Sequence, residues 1–142
     1  MSLAIVGSRT FDDYELLKQT IDRFIDGSLE KPTTQVKGPM NKFVLRTKKK
    51  KTRRNTIHTI VSGGAQGADQ LGEQYAKEKE LKAVILKPDW KQYGKAAGFI
   101  RNKDIVAAAD YVIAFWDGQS KGTLNSINHA KKMKKELFII RF

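Results

Sequence analysis

Four short stretches carry the residue types that hold anions. Ser62-Gly63-Gly64-Ala65-Gln66-Gly67-Ala68-Asp69 places three glycines and an acid between an apolar run and a polar, helix-like stretch. A strand that turns tightly through glycine into a helix leaves backbone N–H groups without partners at the helix start. With the positive end of the helix dipole, these groups favour a phosphate. Asp69 would cap or brace the loop, or meet a ligand hydroxyl. Gly7-Ser8-Arg9-Thr10 offers close backbone approach, two hydroxyls and a forked cation suited to phosphate. Asp117-Gly118-Gln119-Ser120-Lys121-Gly122-Thr123 repeats the strand-to-helix cradle, and Gly98-Phe99-Ile100-Arg101-Asn102 puts Arg101 and Asn102 in the first turn of a helix. Trp90, Tyr93, Phe115 and Trp116 could give a base a stacking face. The glycine spacing is neither G-x-G-x-x-G nor a run ending in G-K-[ST], which argues against a standard dinucleotide fold or a P-loop.

Acid–base chemistry has less support. His58 is expected within a strand and His129 on a late helix, so no His–carboxylate pair presents itself. Glu73, Glu78 and Glu80 fall on helix surfaces, and no cluster has metal-ligand spacing. The residues describe a binding site more clearly than a catalytic one. No catalytic residue, metal or obligatory cofactor is assigned.

The elements that must position these loops alternate along the chain. Leu3–Val6, Ile57–Val61, Ala83–Leu86, Tyr111–Phe115 and Leu137–Ile140 are short, continuously apolar runs, as expected of strands buried on both faces. Between them lie helical patterns. Asp12-Asp13 precedes Leu17, Ile21, Phe24 and Ile25 on one helical face, ended by Gly27-Ser28. Further helices are expected over about Gln66–Glu80, Ile100–Ala108 and Thr123–Lys134, with a loop through Trp90, Tyr93, Gly94 and Gly98. The pattern predicts an α/β doubly wound domain, a parallel sheet of about five strands with helices on both faces. In such sheets ligands bind at the carboxyl ends of the strands, where the three glycine-bearing loops at residues 7–10, 62–69 and 117–123 fall.

With 142 residues the chain suits one compact domain. No apolar run reaches the roughly 18 residues of a membrane span. The N-terminus reads as a first strand, not a leader peptide. Cysteine is absent, which excludes disulfides and thiolate chemistry and, with the rest, favours a cytoplasmic protein. The net charge of +12 is concentrated: ten Lys or Arg and no acid lie between Lys31 and Arg54, so the remainder carries +2. Residues from about 27 to 56 break the alternation and read as a basic insertion, as a β-ribbon, a helix or a flexible loop. Its run Lys48, Lys49, Lys50, Lys51, Arg53 and Arg54 suits the phosphates of a nucleic acid, or a solvated loop that adds solubility.

G-S-R-T-F at 7–11, S-G-G-A-Q-G-A-D at 62–69, A-G-F-I-R-N at 97–102 and F-W-D-G-Q-S-K-G-T at 115–123 stand in the order found in the SLOG superfamily. The chain resembles its small YspA-like branch, the DUF2493 proteins, outside about 27–56. That resemblance implies a Rossmann-like fold holding a nucleotide or nucleotide-derived ligand at these loops, and self-association into a homo-oligomer. Distant relatives include LOG-type phosphoribohydrolases and DprA single-strand DNA-binding proteins. Gly122-Thr123 matches the G-T of the hydrolase motif P-G-G-x-G-T-x-x-E, and Arg101 looks like its arginine. The motif glutamate, however, falls on Ser126, which argues against carrying over N-glycosidic hydrolysis. The leading expectation is therefore a nucleotide-binding sensor, carrier or sequestering module, with phosphates on the amides of residues 63–65 and 122–123 and with Arg9 and Arg101 as cations. The alternatives are a DprA-like nucleic-acid binder using the basic insertion, and a nucleoside monophosphate hydrolase using Asp69 or Asp117.

Overall fold

A computed structural model describes residues 1–29 and 57–142. The expected insertion, its β-ribbon and the basic run at Lys48–Arg54 lie outside the described residues. Five strands, β1 (Ser2–Gly7), β2 (Thr59–Ser62), β3 (Lys82–Ile85), β4 (Tyr111–Trp116) and β5 (Glu136–Arg141), form one sheet in the order β3-β2-β1-β4-β5, every pair parallel. Central β1 pairs Leu3 with Ile60 on one edge and with Tyr111 on the other. Its apolar run is uninterrupted because helices cover both faces. Helices α1 (Tyr14–Asp26) and α2 (Ala68–Glu78) pack Leu17, Ile21, Phe24 and Tyr75 against Leu3, Ile5, Ile60 and Phe138. On the other face α4 (Ala97–Ala108) and α5 (Lys121–Lys132) pack Ile105, Val106, Ile127 and Ala130 against Ala4, Val6, Val61 and Val112. This is the Rossmann-like α/β fold expected from the sequence.

Helix ends follow local chemistry. Asp13 accepts from Leu16 N–H at 3.0 Å to start α1, and Gly27, left-handed at φ 82°, ends it. Helix α2 begins at Ala68 rather than Gln66, because Gly67 adopts φ 88° and ψ −130°, a conformation outside any helix. Between Pro88 and Ala97, where a loop is expected, the chain forms α3 (Trp90–Tyr93), capped by Asp89, and a 3₁₀ turn at Gly94–Ala96. Helix α4 consequently starts three residues before the expected Ile100. The edge strand β3 also departs from expectation: Lys82, Ala83 and Ile85 are exposed, and only Val84 and Leu86 join the core. His58 precedes β2 and is exposed, with Nδ1 2.8 Å from Thr59 Oγ1. Among the described residues no helix is long and apolar enough to cross a membrane.

Candidate ligand cleft

Strand β1 sits between strands that wind away in opposite directions, and a crevice opens beyond its carboxyl end. There the loops after β1, β2 and β4 meet the first turns of α4 and α5 around a cleft of about 480 Å³. Gly7 and Arg9 come from the first loop, Ala65 and Asp69 from the second, and Ser120, Gly122 and Thr123 from the third. Arg101, Asn102 and Ile105 of α4 and Ser126 of α5 complete the lining. Three strand-end loops read from the sequence thus converge on one space.

The Ser62–Asp69 loop does not act as expected. Its amides already have acceptors: Asp69 Oδ2 takes Gly63 N–H at 3.1 Å and Ala65 N–H at 3.3 Å, and Ser62 Oγ takes Gly64 N–H at 3.1 Å. The wall of free amides at 63–65 expected for a phosphate is therefore engaged by the loop's own acid. Carboxylate and phosphate compete for the same donors, and the carboxylate is tethered. Burial pushes the Asp69 carboxyl up to about 6. The Ala65 and Gly63 N–H groups and Arg101 hold it down in part, and Glu73 adds to the rise. Ser62 is fully buried and its Oγ lies 2.9 Å from Glu73 Oε2, to which it donates. Gly67 is required by conformation and by space, since a Cβ there would lie 2.5 Å from Ser8 O.

Arg101 clamps this loop from α4. Its Nη1 donates to Gly63 O at 2.6 Å and its Nε to Asn102 Oδ1 at 3.1 Å. Asn102 Nδ2 in turn donates to Gly122 O at 3.2 Å and to Asn125 Oδ1 at 3.3 Å, joining the clamp to α5. Burial is the main force holding the Arg101 guanidinium below its usual range; the Asp69 carboxylate opposes it and the Arg9 guanidinium adds to it. Two arginines thus face one cleft, and the Arg9 guanidinium disfavours the charge on Arg101. At the start of α5 the Ser120 side chain accepts from Thr123 N–H, while Gly122 leaves open space, since a Cβ there would meet nothing. The positive end of α5 therefore points at the cleft without steric cover.

The remaining expected site residues have supporting positions. Ser8 is buried and its Oγ accepts from Asp117 N–H at 3.3 Å, tying two loops together. Thr10 is exposed and lies off the lining. Asp117 Oδ1 accepts from Gln119 and Ser120 N–H, each at 2.8 Å, which holds the carboxyl below its ordinary value and makes it a brace. Gly118, at φ 85°, lies against the Arg141 guanidinium, and Lys121 is exposed at the α5 start. Phe115 is fully buried and stacked on Phe11 with centroids 4.6 Å apart, so it is core rather than the expected stacking face. Trp116 donates from Nε1 to Ser120 O at 3.1 Å and carries Arg141 over its ring. Sequence reasoning passed over Ser126 and Ile105 as lining, and Lys87 and Pro88, which with Trp90 border an adjoining cleft of about 710 Å³. Lys87 had a legible signal, since it directly follows the β3 run. Among the described residues no His, Cys, Asp or Glu group could hold a metal ion.

Comparison with known proteins agrees with this layout. The profile of the family described as "YspA, cpYpsA-related SLOG family" matches residues 44–93, which include β2, the Ser62–Asp69 loop and α2. A curated relative, the Gene 61 protein of Mycobacterium phage D29, is 37% identical over 79 residues, covering 51% of this chain and 63% of that protein. DNA processing protein A of Streptococcus pneumoniae has a similar structure, with a TM-score of 0.61 at 17% identity, over 97% of this chain and 49% of that one. The Helicobacter pylori protein of the same name, whose structure is described as showing a single-stranded DNA binding mode, gives 0.60 at 22%, over 98% and 64%. At these identities the two structures share the fold alone. The chain spans between about half and less than two thirds of the length of these three proteins. The family match agrees with the resemblance carried by the four motifs over the residues it spans.

Proposed function

We propose that the cleft holds the phosphate of a nucleotide or nucleotide-derived ligand, and that the protein acts as a sensor, carrier or sequestering module. One observation carries the reading: Arg9 and Arg101 line one space that also receives the open N-terminus of α5, and Arg9 disfavours the charge on Arg101 there. An anion between them would relieve the repulsion and take charge-assisted hydrogen bonds from both. The donors left for it are the two guanidinium groups and the first turn of α5, not the amides of 63–65. Asp69, engaged with two amides, reads as a brace rather than a general base. Ser126, which lines the cleft, offers no carboxylate for hydrolysis. Calorimetric titration with nucleoside mono- and diphosphates, ADP-ribose derivatives and cyclic nucleotides tests the proposal. Arg9 is exposed, so Arg9→Gln leaves the core intact and is expected to lower affinity roughly tenfold or more, the worth of a charged hydrogen bond. If no member of the panel binds, the reading fails.

A second reading, an unpaired nucleic-acid strand, is favoured by the charge of +12 and by the single-stranded DNA binding described for the Helicobacter pylori protein. It places the strand's phosphates on the same arginines and on the basic run at Lys48–Arg54. It requires affinity to fall steeply with salt.

A further inference from the structure

The cleft has a neighbour with different chemistry. Arg9, Ala65 and Arg101 line both spaces, so the two guanidinium groups stand on the threshold between them. On the far side lie Gly63, Gly64, Lys87, Pro88 and Trp90. Trp90 is 57% exposed, which leaves an indole in water at a cost that a free surface does not repay. Its backbone is held by local structure. Asp89 caps α3 by accepting from Gln92 N–H at 3.1 Å, and Pro88 stiffens the approach. The far edge of the indole rests over Gly98 on α4, where a Cβ would come 3.8 Å from Trp90 Cη2. Gly64, at φ 72°, keeps the opposite wall free of a side chain. An exposed aromatic ring carried on a capped helical turn thus stands beside two glycines, with a lysine in the lining and two arginines at the boundary.

We infer that this outer cleft is a nucleobase subsite, in which Trp90 stacks the base of a ligand whose phosphate lies between Arg9 and Arg101. The inference rests on the phosphate-binding reading above and adds the part of the ligand that gives affinity beyond a sugar phosphate. The arrangement suits a base because a π-face needs only a flat partner, whereas the lining offers no acid to pair a basic ligand. Lys87 then meets a second phosphate or the ribose hydroxyls, and Arg9 bridges the two spaces. The shared chemistry is a base joined to a phosphate, whether in a free nucleotide or in an unpaired strand.

Titrations of the wild-type protein with AMP, ribose 5-phosphate and a dA12 strand, repeated on Trp90→Ala and Trp90→Phe, test the subsite. AMP is expected to bind more tightly than ribose 5-phosphate. Trp90→Ala should weaken AMP roughly tenfold while leaving ribose 5-phosphate within twofold, and Trp90→Phe should restore most of the loss. If dA12 binds and suffers the same loss, a strand is the source; if AMP alone does, a free nucleotide is. An equal loss of AMP and ribose 5-phosphate would make Trp90 a purely structural residue and overturn the inference. Ribose 5-phosphate binding as tightly as AMP would remove the subsite and leave the phosphate site standing. If neither binds, the subsite falls, and the phosphate reading falls with it when no member of the wider nucleotide panel binds either.

Discussion

At the scale of single residues, Asp69 governs the site through its proton. Its carboxyl titrates near 6 in the folded protein, against about 3.9 in an unfolded chain, so the folded state holds the proton more tightly. Stability from this group is fully present below about pH 4 and is lost as pH rises to about 6, on the order of 3 kcal/mol in total. The difference in unfolding free energy between wild type and Asp69→Asn, measured by denaturant titration from pH 4 to 7, is expected to fall across that window and be flat above it. A difference independent of pH would contradict the raised value. Sulfate, whose charge is constant over this range, should bind more tightly as Asp69 is neutralised. The sequence made Asp69 visible as an acid beside three glycines. It did not reveal that the acid takes the very amides a phosphate would use, because that depends on how far the α2 first turn reaches back over the loop.

The elements that carry the loops were legible wherever both faces are buried. Runs such as Leu3–Val6 and Tyr111–Phe115 need no alternation to be read as strands once helical patterns separate them. β3 is an edge, and its exposed Ala83 and Ile85 follow from a place in the sheet that no local pattern encodes. Helix α3 was hidden by Gly94 and Gly98, which read as loop residues although the first only ends a single turn and the second lies within α4 beside Trp90. Gly72 shows the opposite case, a glycine inside a helix kept for packing. A Cβ at Gly72 would lie 2.9 Å from Ile5 Cβ, so α2 rests directly on the central strand. Gly72→Val recovers only a few tenths of the glycine helix penalty of about 1 kcal/mol, because valine is itself a poor helix former, and it overpacks a contact that costs typically 1–3 kcal/mol. With two further methyl groups against Ile5, overpacking wins. Thermal unfolding is expected to show a lowered midpoint, and an unchanged or raised one would mean that α2 can lift from the sheet.

The whole molecule carries its charge unevenly, and this separates the two ligand sources. A strand engaging several cations releases counterions, so log affinity falls linearly with log salt at a slope of roughly −0.7 per phosphate neutralised on single strands. A mononucleotide held by Arg9 and Arg101 gives a shallow slope. Replacing Lys48–Lys51, Arg53 and Arg54 with glutamine is expected to flatten the slope for dA12 and leave that for AMP unchanged, as read by fluorescence anisotropy for the strand and calorimetry for the nucleotide. A dA12 slope that is already flat in the wild type would exclude the strand reading.

The strand order has a consequence in time. β1 is made before either of its neighbours, yet it lies innermost and pairs with β2 on one edge and β4 on the other. A growing chain must carry one edge of this apolar segment unpaired until β4, ending at Trp116, has been made. The central ladder is thus closed late, through contacts distant in sequence, which places folding in the slow, long-range regime and makes the unpaired β1 the segment most exposed to misassociation on the way.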